Sequence, residues 1–370
     1  MPDCDVVVIG AGVIGAAVTH ELVSRGVSVM LLDCRGAGLG STQAAAGMLV
    51  PYLEGFGRPL LPLAAKSLDM YDAFVDRVSG DAGLPIGYRR TGSLHAALGS
   101  ESLGEMEHVA AAARAAGVEC ELLDGDAARQ AEPQLTQAVT AGLFMKSHGF
   151  VVPGDLSGAL IAAAIKHGAS VRVPARAHRI TRHEGCLLVH ADAHPAVTAQ
   201  HVVVAAGSWS GSIDIDGVPP LPIRPIRGQL LQLATAAPAL NRIVWGTRCY
   251  LVPATSTSIL VGATVEDAGF DERTTVLGVR DLLDSAAELV PALSDATFVG
   301  ARAGLRPATP DGMPIIGRSN KVPGLLYATG HYRNGVLLAP LTARAVAGLV
   351  LDNREDPLLA PAAPQRFGDY

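Results

Sequence analysis

Three stretches of this sequence carry residues whose types and spacing could do chemistry. The first is Gly10-Ala11-Gly12-Val13-Ile14-Gly15, followed at the end of the next apolar run by Asp33. Glycines at this spacing let a chain turn sharply (Gly10), approach a pyrophosphate with bare backbone (Gly12) and pack the following helix closely (Gly15). The helix N-terminus then offers N–H groups and a positive dipole end to phosphates. Asp33 is placed to accept hydrogen bonds from a ribose diol. The second stretch is Gly304-Leu305-Arg306-Pro307, where the proline biases Arg306 toward an extended backbone. From a strand end, a guanidinium can grip a carboxylate through two hydrogen bonds. The third is Gly330-His331-Tyr332-Arg333-Asn334-Gly335, a glycine-bearing loop that opens an apolar helix and aims backbone N–H groups at a ligand. An ordinary strand–turn–helix with a solvated Arg333 fits the same residues.

The elements that must position these groups follow from periodicity. Val6 to Ile9 reads as a strand, Ile14, Ala17, Val18 and Leu22 as one helix face, and Val27 to Leu32 as a second strand, which makes a βαβ unit. By itself this unit implies an ADP-containing dinucleotide and leaves open which one. Residues 60–78 repeat apolar positions at helical spacing. Short candidate strands follow at Gly92–Leu98, Gly142–Met145, Gln229–Leu233, Tyr250–Val252 and Ile259–Ala263, with Ala254 to Ser258 as a hairpin connection. Helices at about 101–116 and 276–290 are expected to cover this antiparallel sheet on one side. Asp155 reads as the N-cap of a helix over Leu156–His167. Further buried strands are expected at Val202–Gly207 and Leu325–Gly330, and a last helix at about 336–351. The α/β pieces are thus discontinuous, with the antiparallel sheet inserted between them.

Composition narrows the function classes. The 370 residues suggest about two domains, and 49% hydrophobic against 17% charged residues describe a chain with a large core. A net charge of −6 without a dense basic run argues against nucleic acid and anionic membranes as partners. The five cysteines, Cys4, Cys34, Cys120, Cys186 and Cys249, are scattered without a CxxC pair, so neither a disulfide framework nor a metal site is expected. The βαβ unit begins almost at Met1 and no apolar stretch of spanning length is read. A cytoplasmic setting is expected, with a homo-oligomer left open.

Four motifs give this chain a family resemblance: the βαβ unit, Ser41 to Met48, Val203 to Ser210, and Gly330 to Pro340. Together they resemble the D-amino-acid-oxidase-like FAD-dependent oxidoreductases, and within them the glycine oxidase branch of thiamine biosynthesis, over residues of about 4–352. The resemblance implies an α/β (overall α+β) fold, with a Rossmann-like FAD-binding domain and an inserted antiparallel-sheet substrate domain. The expected boundaries are 1–84, 146–215 and 300–352 for the first, 85–145 and 216–299 for the second, and 353–370 for a C-terminal tail.

Carried over residue by residue, the resemblance places FAD contacts first at Gly10, Gly12, Val13, Ile14, Gly15, Asp33 and Cys34. It continues through Ser41, Thr42, Ala46, Gly47, Met48, Ala177, Ala206 and Gly207. It ends at His331, Tyr332, Arg333, Asn334, Gly335, Val336 and Leu337. It makes Arg306 the main carboxylate anchor, Tyr250 its phenolic helper and Arg333 a second substrate contact. Relatives that attach FAD covalently use a cysteine in the region matching residues 304–310; none stands there, so non-covalent FAD is expected.

The implied activity is oxidative deamination of glycine and other small amines or D-amino acids. Hydride passes from Cα to flavin N5, the imine hydrolyses to a 2-oxo acid and ammonia, and O2 becomes H2O2. A dehydrogenase of the same family, passing electrons to a quinone or carrier, is the alternative. No acid or base is assigned, since orientation and cofactor chemistry suffice. Arg248, beside Tyr250, either meets an extra acidic group on a substrate or faces solvent.

Overall fold

The computed structural model describes residues 2–54, 59–236 and 240–370. Its helices are α1 (Val13–Val23), α2 (Leu60–Asp69), α3 (Tyr71–Ala82), α4 (Ser100–Ala115), α5 (Gly125–Ala131), α6 (Pro153–Lys166), α7 (Val276–Leu289) and α8 (Gly335–Asp352). Among the described residues the strands form sheets of nine, eight and three.

The nine-stranded sheet is built on Cys4–Ile9, which pairs in parallel with Val29–Leu32 on one side and Val197–Val204 on the other. Val197–Val204 then takes Leu325–Thr329 in parallel, so the two ends of the chain meet in one sheet. The central strand is apolar on both faces for a reason. Val6 and Val8 pack under α1, α6 and α8, while Val7 and Ile9 face a second cluster with Val202 and Tyr327. Tyr370 belongs to that second cluster, and Arg366 pairs with Asp311 at 2.7 Å, so residues 353–370 are docked.

The eight-stranded sheet contains each of the expected short strands. Its longest pair is Arg224–Ala234 with Thr297–Ala308, antiparallel throughout. Thr297–Ala308 runs across residue 300. The expected hairpin is present: Tyr250–Thr255 pairs with Ser258–Gly262.

Four expectations are corrected. The apolar repeat over 60–78 is two helices rather than one. The Met70 N–H bonds the Ser67 carbonyl three residues back, which tightens the chain there and separates α2 from α3. Asp155 is not an N-cap: α6 starts at Pro153, whose missing N–H costs nothing at that position, and Asp155 accepts the Gly87 N–H. Helices α4 and α7 cover opposite faces of the sheet. Alternation along Ser93–Ala97 puts Leu94 and Ala96 with α7 and Ala97 with α4. Finally, α8 is long and apolar enough to cross a membrane, with 18 residues. It is nevertheless a core helix, packed on α1 and α2 with Leu338, Ala339 and Val346 fully buried.

Candidate active site

The glycine turn leaves the first strand with Gly10 at φ +109, and any Cβ there would strike the Ala205 carbonyl. Gly12 precedes α1 and supplies no side-chain cap. Instead the Thr42 hydroxyl reaches across and accepts the Val13 N–H at 3.1 Å. The Ser41 hydroxyl donates to the Leu305 carbonyl, which also accepts from Ser208 at 2.8 Å. The two hydroxyls of this loop are thus tied to the protein, Thr42 to the start of α1 and Ser41 to the strand Thr297–Ala308. Asp33 accepts from the backbone N–H groups of Ala11, Arg35 and Gly36 at 2.7, 2.7 and 2.8 Å. Its carboxylate shapes the turn as well as facing the cavity beside it.

At the other end, α8 begins at Gly335 behind an Asn334 that makes no side-chain cap. Ser67 and Tyr71 donate to the carbonyls of Leu337 and Val336, so α2 and α3 fix where this helix starts. His331 lies under the loop, bonded through Nε2 to Thr342 at 3.0 Å, and burial pushes its pKa down to about 3. It is a neutral structural group.

Arg306 and Tyr250 meet above this loop. The Arg306 Nη1 donates to the Thr264 carbonyl at 2.8 Å, and the guanidinium lies close enough to the Tyr250 hydroxyl to act on its ionisation. Burial raises the Tyr250 pKa, and the positive charges of Arg306 and Arg333 pull the other way. Tyr250 is therefore a neutral donor close to both guanidiniums. Two glycines make the slots these side chains occupy. A Cβ on Gly228 would collide with the Arg306 guanidinium, and one on Gly262, directly across from Tyr250, would collide with the phenol ring.

One cavity of ≈ 580 Å³ joins both ends, lined by the glycine turn and Asp33 at one end and by Tyr250, Arg306 and Arg333 at the other. The match to known proteins is as extensive as the fold suggests. The family model described as FAD dependent oxidoreductase matches residues 5–349. The chain belongs to that family.

Glycine oxidase of Geobacillus kaustophilus is 34% identical over 94% of this chain and 92% of its own length. The crystal structure of a glycine oxidase from the same organism superposes with a TM-score of 0.94 at 32% identity, covering 99% of both chains. The bifunctional protein ThiO/ThiG of Nostoc sp. is 34% identical over 96% of this chain, which spans about half (54%) of that relative's length. Iminodiacetate oxidase from Chelativorans sp. superposes with a TM-score of 0.88 at 25% identity, covering 97% of this chain and 98% of that one.

The residues present fit FAD, the family's cofactor. Two helix N-termini whose own N-cap residues, Gly12 and Asn334, make no side-chain cap open onto one cavity, as the phosphates and the electron-rich edge of a flavin require. Among the sequence-derived cofactor contacts, Gly10, Gly12, Val13, Ile14, Asp33, Cys34, Ser41, Thr42, Ala46, Gly47 and Met48 line that cavity. So do Ala177, Ala206, Gly207, His331, Tyr332, Arg333, Asn334, Gly335, Val336 and Leu337. Gly15 does not. A Cβ there would run into the Gly10 carbonyl, so Gly15 acts from behind the turn by letting α1 close on the strand.

Arg35, Trp209, Gly228, Trp245 and Gly262 were not singled out from sequence and also line the cavity. Trp245, at the end of the strand Ile243–Trp245, lies directly across from Tyr250 on the neighbouring antiparallel strand, at 5.5 Å between rings, a link that only strand register reveals. Arg248 reaches the cavity rim with a side chain 58% exposed and pairs with Glu288 at 3.5 Å.

Proposed function

We propose that this chain oxidises glycine and other small amines or D-amino acids, with FAD as hydride acceptor and O2 as the final oxidant. The observation that carries this reading is the Tyr250–Arg306–Arg333 cluster in the cavity that begins at the glycine turn. The glycine oxidase names of relatives that this chain matches nearly end to end support it.

In this reading Arg306 takes the substrate carboxylate, pre-aimed by the Thr264 carbonyl and by Gly228, which leaves its guanidinium room. Tyr250 donates to the same carboxylate, its neutral form favoured by burial. Arg333 adds positive charge from the loop before α8. Bound FAD supplies an N5 that accepts hydride from Cα. The chain itself then needs to orient Cα–H and exclude water, and no residue in the cluster has to act as a base. The first thirty-three residues, Ser41–Met48, Ala177, Ala206–Gly207 and the 331–337 loop hold the cofactor non-covalently.

The proposed organisation is an FAD unit of residues 1–84, 146–215 and 300–352 with a substrate unit of 85–145 and 216–299, joined at 300 by the strand Thr297–Ala308, which stays paired with the substrate-unit strand Arg224–Ala234. A cytoplasmic location and a place in thiamine biosynthesis complete the proposal. Its test is a panel of glycine, sarcosine, D-alanine and L-alanine assayed for peroxide in air and for dye reduction without air. Peroxide from glycine is the expected result. Dye reduction without peroxide would assign a dehydrogenase, and no bleaching of the flavin by any of these amines would overturn the reading.

A further inference from the structure

The chain from Ala263 to Thr275 has no regular structure, yet it is held at many points. It leaves the strand Ser258–Gly262 and ends at Thr275, the N-cap of α7. Its acidic residues pair with arginines from elsewhere. Glu266 meets Arg227 at 2.6 Å, Asp271 meets the same Arg227 at 2.9 Å, and Asp267 meets Arg224 at 3.1 Å. These three pairs fix the segment to a strand of its own sheet.

The fourth pair does something different. Glu272 binds Arg35 at 2.8 Å, and Arg35 lies two residues past Asp33, on the cavity wall. The Arg35 guanidinium also sits 4.3 Å from the centre of the Trp209 ring, within cation–π range. Trp209 lines the cavity too, and its ring meets Phe270 of the same segment at 5.9 Å. Two side chains of one segment, Phe270 and Glu272, thus press on two side chains of the cavity wall. Asp33 marks that part of the wall as the ribose end. Arg35 and Glu272 are 33% and 29% exposed, so the contact lies at a rim where the cavity wall meets solvent.

We propose that Phe270 and Glu272 form a latch that holds Arg35 and Trp209 over the adenosine half of FAD and sets how slowly the cofactor leaves. A guanidinium has five N–H donors in a fixed fork, and one carboxylate takes at most two of them. Arg35 therefore keeps donors for ribose or phosphate oxygens while Glu272 fixes its plane. Segment 263–275 is anchored through Arg227, so the latch is pre-set and does not have to be ordered when FAD binds. The inference rests on the family's cofactor and is independent of which amine is oxidised.

The test follows FAD release from purified holoenzyme by the rise in flavin fluorescence, with no substrate present. Wild-type release should accelerate as NaCl rises from about 0.05 to about 1 M, because screening weakens an ion pair at a rim. Glu272→Gln should release FAD about fivefold faster at low salt and lose most of the salt response. Phe270→Ala should also release faster but keep the salt response. Arg35→Lys retains the charge pair and loses the flat face against Trp209, so it should fall between wild type and Glu272→Gln. It also provides the reading if Glu272→Gln does not fold. Release from Glu272→Gln at the wild-type rate, or faster release with an unchanged salt response, would overturn the proposal, as would wild-type release from Arg35→Lys.

Discussion

Two glycines decide whether the side chains proposed to hold the substrate can lie where they do. Gly228 leaves room for the Arg306 guanidinium and Gly262 for the Tyr250 ring. Gly228→Ala should therefore raise KM for glycine while leaving FAD bound, with turnover at saturation falling less than KM rises. Steady-state kinetics and the flavin spectrum read these separately. Arg306→Ala should cost about 2–5 kcal/mol in substrate affinity, and Arg306→Lys should recover only part, since one ammonium cannot make the paired contact. A variant Arg306→Ala with wild-type rates at low glycine would refute the anchoring role. Two buried histidines contribute to acid sensitivity. Burial holds His331 and His148 down to about 3 from an ordinary 6.5. Both stay neutral when folded and take up protons when unfolded. Stability is therefore complete above pH 6.5 and falls as pH drops toward 3, by up to about 1.4 kcal/mol per pH unit for each. Denaturant titrations across this range should show that slope, and it should flatten in His148→Gln. Arg306 was legible in the sequence because Gly304-Leu305-Arg306-Pro307 resembles a family motif and the proline favours an extended backbone there. The two slot glycines were not, because their meaning lies across a strand pair.

Among the elements, α1 and α8 matter most, because each turns its N-terminus toward the cavity. The approach of α1 depends on Gly15, which lies against the Gly10 carbonyl with no room for a methyl group. Gly15→Ala should push the helix off the strand, lower stability by about 1–3 kcal/mol and yield protein depleted of flavin. Full flavin content with an unchanged melting temperature would show that the helix can shift without cost. The start of α8 is set by donors from α2 and α3, Ser67 and Tyr71. Period-2 and period-3.6 patterns gave most of these elements correctly. The split at Met70 escaped because the apolar repeat continues through it. The placement of α4 and α7 escaped because the face a helix covers is decided by strand parity and register, and neither is written in the helix itself.

For the molecule as a whole, the cavity lies between the nine-stranded and eight-stranded sheets, with walls drawn from residues 9 to 337. A ligand bridging them adds stability by linkage, about 2.7 kcal/mol at a hundred times its dissociation constant. Removing FAD should thus lower the melting temperature, and titrating FAD back should restore it in a concentration-dependent way. ADP alone should restore only part, since it leaves the end beside Tyr250 and Arg306 empty. A melting temperature indifferent to FAD would mean that the cofactor does not hold the two sheets together. The sequence alone determined the cofactor end of this molecule, because a glycine turn, its helix and Asp33 are local and lie within thirty-three residues. It also set an extended backbone at Arg306, through the proline that follows, while the anchoring role proposed for that side chain came from the family resemblance. Only the tertiary structure decided that Tyr250, Arg306 and Arg333 share one cavity with that turn, and that Arg35 is clasped by Glu272 237 positions away. Those contacts arise from strand pairing and the meeting of two sheets, and chain separation in the sequence carries no record of either.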